Sequence, residues 1–158
     1  MRIFFLQIIL LFFLPDVNAQ CNVKSKVSAD GVVLSYTARE LLYEFKGTNI
    51  YSTIKYDGID YYFRLQLEPS LPDFIQKENI LINFVNDKTI ELKFFDGRLN
   101  EQDSSLSIEY LIVKEQLELL SQVNIRSIKM NFKSGENIFT LISKPSLIKE
   151  QLICITKK

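Results

Sequence analysis

The stretch that decides the fold is Ile80-Leu81-Ile82-Asn83-Phe84-Val85, then Asn86-Asp87-Lys88, then Thr89-Ile90-Glu91-Leu92-Lys93-Phe94-Phe95. Apolar and polar residues alternate on both sides of a short polar break, the pattern of a half-buried antiparallel hairpin. Folding about Asp87 sets Ile80 against Phe94, Ile82 against Leu92 and Phe84 against Ile90 on one face. Asn83 and Glu91 fall on the other. A one-residue slip would mix the faces along the whole length, so the side-chain pattern selects against it.

The preceding segment reads the same way. Ile50 to Leu67 is a second hairpin, with Asp57-Gly58 as a two-residue turn because glycine accepts positive φ freely. That turn pairs Ile50 with Leu65, Ser52 with Phe63 and Ile54 with Tyr61 toward the core. The other face then carries Tyr51 against Arg64, Thr53 against Tyr62, and Lys55 against Asp60 as an ion pair. Pro69 and Pro72 punctuate the crossing between the hairpins. After Phe95, Asp96-Gly97 and the polar run Asn100 to Ser104 read as a turn. A strand follows with Leu106, Ile108 and Tyr110 inward and Ser107 and Glu109 outward.

The period then changes. Val113, Leu117, Leu120 and Val123 follow helical spacing, as do Leu147, Ile148, Leu152 and Ile155, so two short helices are expected near residues 113–123 and 145–156. Between them, Ile128, Met130 and Phe132 alternate with polar neighbours as a strand. Residues 38–46 carry both a capping-box pattern and a strand-like run; the strand fits the period-two organisation of the rest. The fold class is α+β and β-rich, a mostly antiparallel sheet built from hairpins with two short helices.

The first nineteen residues read as an address. Arg2 precedes a run from Ile3 to Leu14 interrupted only by Gln7, and Val17-Asn18-Ala19 suits a signal-peptidase cut. About twelve apolar residues span only about 18 Å as a helix, short of the roughly 30 Å hydrocarbon core. Cleavage after Ala19 leaves residues 20–158 as one globular domain, secreted or periplasmic, with no transmembrane segment. Cys21 and Cys154 are the two cysteines, and in an exported chain an even count favours a disulfide between them. Lipidation of Cys21 is the alternative, although Gln20 is not the small residue such sites place before the cysteine.

Nineteen basic residues balance nineteen acidic ones, which gives no electrostatic case for nucleic acid. Histidine is absent, and with it the usual general base, the Ser-His and Cys-His pairs and the commonest transition-metal ligand. Neither a metal nor a cofactor is expected. Asp57 to Asp60 lacks the further oxygen ligands of a calcium loop, and no carboxylate pair can be seen to converge.

The layout resembles small uncharacterised exported proteins of the Bacteroidetes type. Cys21 after the signal segment, Asp30-Gly31, the phrases beginning at Ile80 and Ile90, Glu115 to Leu120 followed by Ile125 to Lys129, and Leu152-Ile153-Cys154 carry the resemblance. It implies compartment and architecture and transfers no catalytic residue. It departs at Val113, where such proteins often have a capping Ser or Thr.

The strongest candidate site is Tyr51, Tyr62 and Arg64, large planar groups beside a guanidinium on one sheet face, of the kind enriched at binding hot spots. Coverage of that face by another element is the competing expectation. The functional expectation is a non-enzymatic binding or interaction module of the cell envelope, with a protein or glycan partner. An inhibitor of an exported hydrolase, presenting the loop Glu68 to Asp73, is the alternative, and a hydrolase working through carboxylates alone is the third.

Overall fold

The computed structural model describes residues 21–71, 77–133, 135–140 and 144–157, without the side chains of 136–138. Residues 1–19, expected to be a signal segment, lie outside these residues, as do Pro72 and Asp73 of the loop an inhibitor would present.

Ten strands among the described residues form one sheet, nine of them along a single path. They are β1 (Val23–Val27), β2 (Val33–Thr37), β3 (Glu40–Phe45), β4 (Thr48–Tyr56), β5 (Tyr61–Glu68), β6 (Ile80–Phe84), β7 (Thr89–Asn100), β8 (Ser105–Ile112), β9 (Ile125–Phe132) and β10 (Gly135–Thr140). The helices are α1 (Lys114–Gln122) and α2 (Leu147–Thr156). The order is β1-β2-β4-β5-β8-β7-β6-β9-β10, with β3 also paired to β4. The α+β, β-rich class and both helices are as the periodicities indicate, and residues 40–45 take the strand form.

Two features bend this path round a core. β7 pairs with β6 through Thr89 to Leu92 and with β8 through Lys93 to Asn100, so one long strand serves both halves. From the β3 branch, Tyr43 and Phe45 meet Phe139 of β10, the last strand of the path, at ring centroids 5.4 and 5.1 Å apart. The enclosed side chains include Ile54, Phe63, Leu65, Ile82, Phe84, Ile108 and Tyr110, all fully buried.

The two hairpins keep the faces read from sequence but not the partners. Ile80 pairs with Leu92 and Ile82 with Ile90, a shift of two residues. The cause is the turn: Asp87 adopts φ 62° and its N–H donates to the Phe84 carbonyl, while the Phe84 N–H donates to that of Lys88. This is a three-residue loop closed by a left-handed residue rather than a turn centred on Asp87. In the other hairpin Ile50 pairs with Leu67, Ile54 with Phe63 and Lys55 with Tyr62. Its loop is four residues, Asp57 to Asp60, in which one Asp57 carboxylate oxygen accepts from the backbone of Ile59 and Asp60. The expected Lys55–Asp60 ion pair therefore does not form. Of the turn expected from Asp96-Gly97 and the run Asn100 to Ser104, Asp96-Gly97 lies inside β7 and the polar run turns the chain at residues 101–104.

α1 starts at Val113, whose side chain cannot cap the first turn, but half of a capping box remains: the Val113 N–H donates to the Gln116 side chain at 3.1 Å. α2 packs on β2 and β4. Cys154 near its C-terminus bonds Cys21, the Cα atoms 5.2 Å apart, closing a separation of 133 residues. In the chain-entropy account a loop of that length stabilises by up to about 5 kcal/mol. The helix is further fixed by Gln151, 5% exposed. Its amide nitrogen donates to the carbonyls of Ala38, between β2 and β3, and of Ser52, while its oxygen accepts from the Ser52 hydroxyl.

Gln151→Leu leaves those buried polar atoms without their partner, a loss of about 2 kcal/mol. Urea denaturation should show a lower midpoint at unchanged slope; an unchanged midpoint would mean that the amide does not hold α2 in place.

Candidate functional site

Cross-strand pairing sorts the outward side chains of β1 to β8 into rows that run across the strands. One row is Lys24, Tyr36, Lys55, Tyr62, Leu111 and Lys93. The next holds Thr53, Arg64, Glu109 and Asp96, and the third Tyr51, Gln66, Ser107 and Arg98. The first two, with part of the third, bound a cleft of about 230 Å³ lined by Leu34, Tyr36, Lys55, Arg64, Phe95, Asp96, Arg98, Ser107 and Glu109.

Glu109 lies at the centre. It is only 7% exposed, and each of its carboxylate oxygens is taken by a cation. Lys55 donates to one oxygen; Arg64 donates to the other through Nε at 3.0 Å and through Nη2. Desolvating a carboxylate costs several kcal/mol, so this charge is tolerable only because two cations and three hydrogen bonds meet it. Both cations also sit over rings, Lys55 Nζ 4.3 Å from the centroid of Tyr62 and the Arg64 guanidinium 5.2 Å from that of Tyr36. These contacts give the cleft a fixed floor.

Phe95 forms one wall because β7 is bulged there. Phe94 pairs with Tyr110 and Asp96 with Glu109, so Phe95 is an extra residue without a partner. A bulge re-aims side chains, and here both Phe95 and Asp96 face outward while Phe94 turns toward the core. Gly97 fits this turn: the Phe94 ring stands 3.3 Å from where a Cβ at position 97 would be. Phe95 is 53% exposed and its other side leans on Tyr62, centroids 4.8 Å apart.

Sequence reasoning grouped Tyr51, Tyr62 and Arg64, and the structure places them on one sheet face in three adjacent rows but gives each a different setting. Tyr62 is only 4% exposed, so it is not the contact surface expected; Phe95 and Lys55 cover its ring, and its hydroxyl donates to Asp57 at 2.9 Å. Burial, then this hydrogen bond to a carboxylate, raises the Tyr62 pKa above its ordinary value. Burial pulls the Asp57 carboxyl upward, but hydrogen bonds from Asp60, Ile59 and Tyr62 outweigh it and leave that group below its ordinary value. Tyr51 stacks under Arg39, 4.1 Å from guanidinium to centroid, and Arg39 is held in turn by Glu68. Arg64 lines the cleft. The residues missed were Glu109, Phe95, Tyr36 and Arg98. Phe94-Phe95-Asp96-Gly97 did carry a signal, a double aromatic before Asp-Gly inside a strand, which marks a bulge as readily as a turn.

Nothing among the family models or the curated proteins matches the sequence. Among solved structures, the crystal structure of invasion associated protein B from Bartonella henselae is similar over 87% of this chain and 96% of that one, at 13% identity and a TM-score of 0.45.

Glu109→Gln leaves Lys55 and Arg64 facing one another without a counter-charge, and should destabilise the fold by about 3 kcal/mol. Adding Lys55→Met should restore part of that loss. Equal stability of the single variant and wild type in chemical denaturation would show that the carboxylate does not hold the cleft together.

Proposed function

We propose that this protein is an exported, non-enzymatic binding module of the cell envelope and that the cleft across the outer sheet face is its recognition surface. The observation that carries this reading is the bulge that holds Phe95 in solvent at 53% exposure, beside Arg64 and Arg98. Exposed aromatic side chains next to arginine, on a floor already fixed by ion pairs, are the elements that bind a partner at low ordering cost. Glu109 has both oxygens committed to cations, which suits it to fixing a shape rather than to moving a proton. Export is supported by the Cys21–Cys154 bond, since disulfides persist in oxidising compartments. No helix among the described residues is long and apolar enough to cross a membrane.

The test is capture of envelope material on the immobilised mature protein, comparing wild type with Phe95→Ser combined with Arg98→Ala. Phe95 is 53% exposed and the Arg98 side chain 85%, the first leaning on Tyr62 and the second paired with Asp96, so a matching thermal melt of the variant is the control that its fold is kept. The variant should lose at least about tenfold of whatever the wild type retains, the size of effect expected when a hot-spot pair is truncated. Equal recovery of every component would remove this face from consideration.

A further inference from the structure

We infer that the β7–β8 end of the cleft is a subsite for one neutral sugar ring of a glycan; this names a ligand class for the proposed binding function and rests on it. The first observation is that every charged side chain in the lining already has a partner of opposite sign. Lys55 and Arg64 share Glu109, and Arg98 holds Asp96 through Nε at 3.0 Å. Three cations against two carboxylates leave one positive charge in excess, but it is shared across the Glu109 cluster and no cation presents it alone. A charged ligand would meet groups whose charge is already answered, and a further ion pair in so wet a setting adds little. A neutral ligand leaves all these pairs in place.

The second observation is what those pairs leave over. Arg64 holds Glu109 through Nε and Nη2, which leaves Nη1, and Arg98 holds Asp96 through Nε, which leaves its two terminal nitrogens. The Asp96 oxygens each accept one of the bonds from the Gly97 N–H and Arg98, so each keeps a second lone pair. Ser107 stands opposite Arg98 in the register, and its hydroxyl can donate or accept. Donors and acceptors are thus interleaved within one strand pair, the arrangement that suits hydroxyl groups, which do both. Beside them is one apolar ring face: Phe95 rests on Tyr62 by one side, centroids 4.8 Å apart, and lines the cleft. A pyranose joins an apolar face of C–H groups to a rim of hydroxyls, so a ring laid on Phe95 turns its rim toward Asp96, Arg98 and Ser107. Size agrees. The cleft holds about 230 Å³, below the roughly 300 to 1,000 Å³ of pockets for drug-sized ligands, which suits a single ring. A peptide fits less well, because the floor strands β4, β5 and β8 are paired on both sides and offer no open main-chain edge to an extended segment.

The experiment is an NMR titration of the isotope-labelled mature protein with the methyl glycosides of glucose, galactose and mannose. Methyl glucuronoside, which adds a carboxylate to the same ring, and cyclohexanol, which keeps a ring but not its rim of hydroxyls, are the controls. At least one neutral glycoside should shift the amides of residues 95–98 and 107 and bind at least about tenfold more tightly than either control, and Phe95→Leu, which keeps an apolar side chain but removes the flat ring, should lose about tenfold of that affinity. A thermal melt matching wild type checks the fold of the variant. Equal or tighter binding of the glucuronoside would overturn the neutral class, and equal binding of cyclohexanol would overturn recognition of hydroxyls. Affinity unmoved by Phe95→Leu would overturn the placement on β7 and β8. If none of the three glycosides shifts those amides while the Phe95→Ser/Arg98→Ala variant still loses captured envelope material, the ligand class alone is refuted. If that variant loses nothing either, the binding reading falls with it.

Discussion

One buried carboxylate organises the outer face of the sheet. Glu109 on β8 is 7% exposed, and an ion at that depth must be met by opposite charge or it costs several kcal/mol. Lys55 from β4 and Arg64 from β5 meet it, and they can do so only in the observed register. Sliding β8 by two residues along β5 would set Arg64 against Ser107 with Glu109 facing Tyr62, or Arg64 against Leu111 with Glu109 facing Gln66. The apolar face would notice such a slip far less, because leucine and isoleucine repeat along both strands. The ion cluster therefore contributes specificity of pairing to β4, β5 and β8 as well as a rigid floor to the cleft.

That same distinction explains how much of the fold was legible in the sequence. Period-two alternation reports which face a side chain takes, and it did so correctly for Ile80, Ile82, Phe84 and Leu92, and for Ile54, Phe63, Ile108 and Tyr110. It cannot separate two registers that differ by two residues, since both keep every side chain on its face. Only the turn decides between them: the loop after Phe84 is three residues long but centred one residue earlier than the alternation suggests, and the Asp57 loop has four residues instead of two. Asp87 takes a left-handed conformation that Asn and Asp tolerate, and Asp57 caps a four-residue loop through its side chain. An error of two residues was enough to pair Lys55 with Asp60 on paper and to hide its place beside Glu109.

The candidate site was legible only in part for the same reason. Arg64 and Tyr62 were found because their residue types stand out on a polar face. Whether Tyr62 was surface or floor depended on Phe95, and the position of Phe95 depended on a bulge whose only mark was Asp-Gly within a strand. Glu109 looked like an ordinary outward carboxylate until its neighbours on β4 and β5 were known. Gln151 was equally silent: a glutamine in a helix gives no sign that it will bond the break between β2 and β3. The disulfide was the exception, because two cysteines allow one intramolecular pairing and no register enters into it.

Rigidity and function meet in this arrangement. The Cys21–Cys154 bond and Gln151 hold α2 against β2 and β4 from the inside, while the Glu109 cluster holds the opposite face, so a ligand would meet a surface that is already ordered. The most direct test is amide hydrogen exchange of the mature protein, free and saturated with captured envelope ligand. The account predicts slowed exchange along residues 34–36 of β2 and 94–98 of β7, with α2 unchanged. Protection confined to α2 or to β9 and β10, with the cleft strands exchanging as before, would contradict it.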